Sequence, residues 1–119
     1  MREPFKQLPV PDAAKGFCAI VANWAQGQAL IVKIYLYGSR LHGTERSDSD
    51  IDLAIVVPVA EVGFAFALRI QEFPAWCEDL TKLLNIPVHL ELAHAKDSPR
   101  VWGYLKEKGG ALIYQKSVS

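Results

Sequence analysis

Gly38-Ser39 and Asp50-Ile51-Asp52 are the residues whose types and spacing suit a chemistry. Glycine reaches backbone angles closed to other residues and lets an anion approach the main chain, while the serine beside it offers a hydroxyl and an amide to phosphate oxygens. If Arg40 to Gly43 makes a helical turn, its free amides extend that anion site. Asp50 and Asp52 stand two apart, so on a strand both carboxylates leave the same face. Two like charges so placed call for a hard cation. Magnesium takes oxygen ligands, is held by one or two carboxylates plus substrate phosphates, and relieves their repulsion. Either piece alone is weak, since Gly-Ser is usually a turn and Asp-x-Asp is common on a solvent-facing strand. Their order carries the argument: Gly-Ser closes one apolar run and Asp-x-Asp opens the next, with residues 40–49 between them. Ser47-Asp48 within that connection reads as solvated loop.

The elements that must position these groups follow from periodicity. Residues 1–11 carry charges and three prolines (Pro4, Pro9, Pro11) and read as an N-terminal arm. Asp12 is the expected N-cap of a helix in which Phe17, Ile20, Val21 and Trp24 share a face, and Gly27 ends it. Leu30 to Tyr37, rich in β-branched and aromatic residues, is a strand running into Gly38. Ile51 to Val57 is a second strand ended by Pro58, with Ile51, Leu53 and Ile55 anchoring the side away from the acids. Val59 to Leu84 turns helical, with Phe66, Ile70 and Phe73 on one face and Pro74 breaking or kinking it. Ile86 to Leu92 makes a third strand, Ser98 opens a short helix with Val101, Trp102 and Leu105, and Gly109-Gly110 precedes a last strand, Ala111 to Tyr114. This order predicts one α/β domain over 1–119, a mixed sheet of about four strands flanked by helices.

Composition limits the function classes. Thirteen basic residues balance thirteen acidic ones, which argues against holding duplex nucleic acid by phosphate neutralisation alone and leaves open only a local basic patch. Cys18 and Cys77 lack CxxC spacing or a Cys/His cluster, so both are expected as buried free thiols. The N-terminus has no apolar core of the signal-peptide kind and no long apolar run occurs, which makes the cytoplasm the expected location and excludes a membrane role. No Gly-x-x-x-x-Gly-Lys-Ser/Thr, Gly-x-Gly-x-x-Gly or Gly-x-Ser-x-Gly is present, which disfavours P-loop, dinucleotide-binding and serine-hydrolase sites. His42 and His94 have no partners at metal spacing, and Trp24, Trp76 and Trp102 fall at core spacing rather than forming a base-stacking platform.

Gly38-Ser39, a spacer of about ten residues and Asp50-x-Asp52 together resemble the minimal nucleotidyltransferases of the DNA polymerase beta superfamily. Arg40 and Gly43 after the Gly-Ser, Ser49 before the first acid, and the strand, helix, strand order extend the likeness over most of the chain. The resemblance implies a DNA polymerase beta-like fold and Mg²⁺-dependent transfer of a nucleoside monophosphate from a nucleoside triphosphate, with ATP the expected donor. On that likeness Gly38, Ser39, Arg40 and Ser49 are the nucleotide-binding candidates, Asp50 and Asp52 the metal-binding and catalytic acids. Arg46 ranks below Arg40 as a phosphate contact. Such minimal enzymes are often encoded beside helical HEPN partners and act as antitoxins, in some cases by adding AMP to the partner. A protein partner of the HEPN type is therefore expected, as is a protein or other hydroxyl acceptor.

The resemblance also implies a third carboxylate from a later strand. Relatives commonly place an aspartate directly after a Pro-Val, and that position is His89 here, a poor magnesium ligand as neutral imidazole. Glu91 lies two residues on and faces the same side of a strand, so its longer side chain is assigned as the third acid. There it would complete the metal site and accept the proton of the attacking hydroxyl. Two competing readings stand beside this one: a non-catalytic binding module that neutralises a partner by occlusion, and a subunit that lends this domain to a larger transferase assembly.

Overall fold

Alternation of apolar side chains builds the sheet on which the acids sit. The computed structural model describes residues 3–57, 67, 71–96 and 98–117. Along the chain come α1 (Lys15–Ala25), β1 (Lys33–Tyr37), α2 (Ser39–His42), β2 (Ile51–Val56), α3 (Phe73–Leu84), β3 (Val88–Leu92), α4 (Pro99–Lys108) and β4 (Ala111–Gln115). The sheet order is β3-β2-β1-β4. β1 runs antiparallel to β2 and β4, whereas β2 and β3 are parallel. That parallel pair needs a crossover, to which α3 belongs. The mixed four-stranded sheet with flanking helices matches the expectation from sequence.

Each sheet face has its own core. On one, Ile34, Leu36, Ile51, Leu53, Ile55, Leu90 and Leu92 pack with Cys18 and Val21 of α1 and Trp76 and Leu80 of α3. Full burial of such side chains stabilises by about 1.5–3 kcal/mol each, so this face anchors the fold. On the other, Tyr35, Tyr37 and Ala54 meet Phe5 of the arm and Leu105 of α4, with Val101, Trp102 and Tyr104 around them. The second core is smaller and leaves one end of the sheet open.

The arm is part of the fold. Phe5 is buried with its ring edge-on to Tyr35 at 5.1 Å and to Trp102 at 4.8 Å. The Glu3 carboxylate accepts from Lys33 Nζ at 2.9 Å and Tyr35 Oη at 2.7 Å, and the Leu8 amide donates to the Gly110 carbonyl. Gly109 holds φ +92°, and a Cβ there would strike Leu8 and the Lys6 carbonyl.

Local expectations shift in several places. Asp12 does not cap α1: it opens a 3-10 turn, Asp12–Ala14, and its carboxylate pairs with Lys15 at 2.8 Å. Ile20 is 43% exposed, because α1 turns Cys18, Val21 and Ala25 inward instead. β1 and β3 begin later than their apolar runs, at Lys33 and Val88, since pairing partners rather than composition set strand ends. Pro74 starts α3 from its first turn, where its missing N–H costs nothing. The face predicted through Phe66 and Ile70 lies outside the described residues. Cys77 is only half-buried, and both cysteines are free thiols. No helix among the described residues is long and apolar enough to cross a membrane.

Candidate active site

Strand register brings the two halves of the motif together. Tyr37, the last residue of β1, pairs with Asp52, the second of β2, so the turn that leaves β1 lies beside the acid that enters β2. Gly38 takes φ +78° and ψ −158°, closed to residues with a side chain. A Cβ on Gly38 would also run into Asp52 Oδ2. Glycine is required here twice, once for the backbone angle and once for the approach of a carboxylate.

The helical turn expected after Gly38 is present as α2, whose Leu41 and His42 amides donate to the Gly38 carbonyl at 3.1 and 3.2 Å. The Ser39 and Arg40 amides at its opening have no earlier carbonyl in the turn to bind. Gly43 closes α2 in the left-handed region at φ +75°. Arg40 does unforeseen work: its Nε and Nη2 donate to the Ser49 carbonyl at 3.2 and 2.8 Å. The Ser49 hydroxyl accepts from the Arg46 amide at 2.8 Å. Thus Arg40 and Ser49, both expected at a nucleotide, tie the loop to α2 just before Asp50.

Asp50 is exposed and sits one residue before β2, whereas Asp52 is half-buried within it. The sequence placed both on the strand; the ladder begins at Ile51, whose amide donates to the Pro87 carbonyl at 2.9 Å. The two carboxylates still sense one another. Burial pushes the Asp52 carboxyl above the ordinary range, the Asp50 charge adds to this, and His89 offsets part of it.

β3 supplies the next groups. His89 pairs in register with Asp52 and Glu91 with Ala54, so Glu91 stands on the acids' face but one pleat farther along. Its Oε1 lies 3.0 Å from His89 Nε2. Burial first, and then the charges of Asp52 and Glu91, push the Tyr37 hydroxyl above the ordinary phenol range. Among the described residues no three His, Cys, Asp or Glu side chains converge as a ready-made metal cage.

The pair Asp50 and Asp52 nevertheless suits a divalent ion. Two hard oxygen donors repel one another beside a glycine turn, and magnesium draws its remaining ligands from phosphate and water. Arg100 and Tyr104 of α4 join Tyr37, Phe73, His89 and Glu91 in lining a groove of about 840 Å³, whose wall residue His89 is the register partner of Asp52. Sequence reasoning missed Tyr37 and Tyr104. The first had a signal, its place directly before Gly38; the second had none, because α4 reaches the turn only through tertiary packing.

Residues 21–118 match the family described as Polymerase beta, Nucleotidyltransferase. No curated protein matches the chain.

Proposed function

Since the chain belongs to the polymerase beta nucleotidyltransferase family, we propose that it transfers a nucleoside monophosphate from a magnesium nucleoside triphosphate, with ATP as donor, to a hydroxyl on a protein or other acceptor. The observation that supports this reading is the closeness of the Asp52 carboxylate to Gly38, since an acid holding a metal there would stand beside a turn suited to phosphate.

Each residue has a part. Gly38 lets the phosphate approach the main chain, and Ser39 presents its amide and hydroxyl to the phosphate oxygens. Arg40 holds the Ser49 carbonyl just before Asp50, and Asp50 and Asp52 would hold the metal, with Glu91 proposed as third acid from one pleat along β3. Magnesium supplies positive charge against the negative charge that develops on the transferred phosphoryl group. The acceptor oxygen forms the new bond to phosphorus, the bond to pyrophosphate breaks, and pyrophosphate leaves with that electron pair. Glu91 takes the acceptor's proton, its carboxylate kept in place by His89 at 3.0 Å.

Titration calorimetry tests the site directly. Wild type should bind at least one of magnesium ATP, GTP, CTP and UTP, and Asp50→Ala/Asp52→Ala should lose that binding. Equal binding by both proteins, or none by wild type, would sink the assignment. A partner of the HEPN type remains the proposed acceptor or binding partner, checked by label transfer from ATP and by complex formation on gel filtration.

A second reading is favoured by His89, which stands beside Asp52 where relatives commonly carry an aspartate. In it the domain binds and neutralises a partner without catalysis. Asp50→Asn separates the two: the enzyme reading expects cellular function to vanish with partner binding intact, whereas occlusion expects both to survive.

A further inference from the structure

Tyr104 belongs to α4, an element outside the Gly-Ser and Asp-x-Asp motif, yet it straddles the turn that the motif defines. Its ring lies 5.7 Å from that of Tyr37, tilted by 60°, and 6.5 Å from that of His42, edge-on at 77°. Tyr37 is the last residue before Gly38, and His42 is the last of α2. Tyr104 therefore touches residues on both flanks of Gly38-Ser39, and it also lines the groove with His89 and Glu91.

The hydroxyl end of the ring meets the Gly38 backbone. A phosphate chain seated on the Gly38-Ser39 turn would have that hydroxyl as a neighbour.

We infer that Tyr104 is a substrate-binding residue whose hydroxyl donates a hydrogen bond to the phosphate chain of the bound nucleotide. This rests on the nucleotidyltransferase reading. It adds a recognition group for the triphosphate itself, independent of base and acceptor. The ring holds the hydroxyl in position through Tyr37 and His42, so the two parts of the side chain have separable roles. Tyr104→Phe removes the donor and keeps the packing; Tyr104→Ala removes both.

The test uses magnesium tripolyphosphate and magnesium ATP as probes, titrated calorimetrically into wild type and both variants, with thermal unfolding as the check on the fold. Tyr104→Phe should unfold at the wild-type temperature and bind both probes more weakly by the same factor, about tenfold or more for a hydrogen bond to a charged oxygen. Wild-type affinity in Tyr104→Phe with a loss only in Tyr104→Ala makes the residue purely structural and overturns the proposal. A loss confined to ATP, or a wild type that binds ATP but not tripolyphosphate, moves recognition to the nucleoside and also overturns it. Tighter binding by Tyr104→Phe shows that the hydroxyl obstructs the phosphates, again the opposite of the proposal. A wild type that binds no magnesium nucleotide at all removes the nucleotidyltransferase reading and this proposal together.

Discussion

At the scale of single residues, the assignment of the proton acceptor rests between two neighbours on β3. Glu91 has the chemistry of the third acid, while His89 has the nearer register position beside Asp52. In the proposed division Glu91 takes the proton and His89 holds its carboxylate. Glu91→Gln should then lower the transfer rate by roughly a hundredfold while sparing nucleotide affinity, read by single-turnover kinetics alongside calorimetry. A crippled His89→Ala with near wild-type Glu91→Gln would reverse the roles. Asp52 carries a stability cost of its own, because a carboxyl raised by burial and by Asp50 is disfavoured in its charged form. For an acid whose folded pKa exceeds its unfolded one, stability is lost as pH rises through the interval between the two values. Asp52→Asn should therefore melt higher than wild type at neutral pH without nucleotide, and the difference should shrink as pH falls into the interval above the ordinary value of 3.8. Equal melting across that range would show that Asp52 is not under the charge strain described here.

Among the elements, the joint between α2 and β2 decides whether the acids are preorganised. Arg40 reaches from α2 across the loop with two donors on one carbonyl, a fork that a lysine ammonium does not reproduce. Arg40→Lys should weaken magnesium nucleotide binding by roughly three- to tenfold, the scale of one lost hydrogen bond. Amide exchange across residues 44–50 should quicken at the same time, which hydrogen exchange monitored by mass spectrometry would register. Weaker binding with unchanged exchange would mean that Arg40 acts on the phosphates and not on the loop. The Asn85 cap of α3 is a smaller instance of the same economy of turns: it takes φ +56°, a conformation that asparagine tolerates better than most residues, and releases the chain into β3 three residues before Val88.

Across the whole molecule, the arm and the sheet form one cooperative unit. The family match begins at residue 21, yet Glu3 and Phe5 ahead of it are joined to β1 and α4. Burial alone would raise the Glu3 carboxyl, but hydrogen bonds from Lys33 and Tyr35 and the Lys33 charge outweigh it, leaving it below the ordinary range. A depressed folded pKa gives stability that is present above the unfolded value of 4.5 and lost as pH falls through the folded one. Glu3→Gln should accordingly melt below wild type at neutral pH, with the two curves converging in acid. Parallel curves at all pH values would place the arm's contribution in Phe5 packing alone.

What the sequence determined by itself was short-range. The alternation of Ile51, Leu53 and Ile55 with Asp52, and the apolar run ending at Gly38, are patterns within a few residues, and they specified two strands, the sidedness of β2 and a glycine turn and an acid pair at the strand ends, while the order of such elements implied the mixed sheet. The α2 turn after Gly38 was legible for the same reason. Only the tertiary structure decided the rest, because it depends on pairings between distant segments. Register set His89 beside Asp52 and moved Glu91 one pleat away. Packing of α4 on the smaller sheet face carried Tyr104 over Gly38. The docking of Phe5 against Tyr35 and Trp102 turned a proline-rich arm into core, since its apolar partners lie far along the chain and no local period announces them.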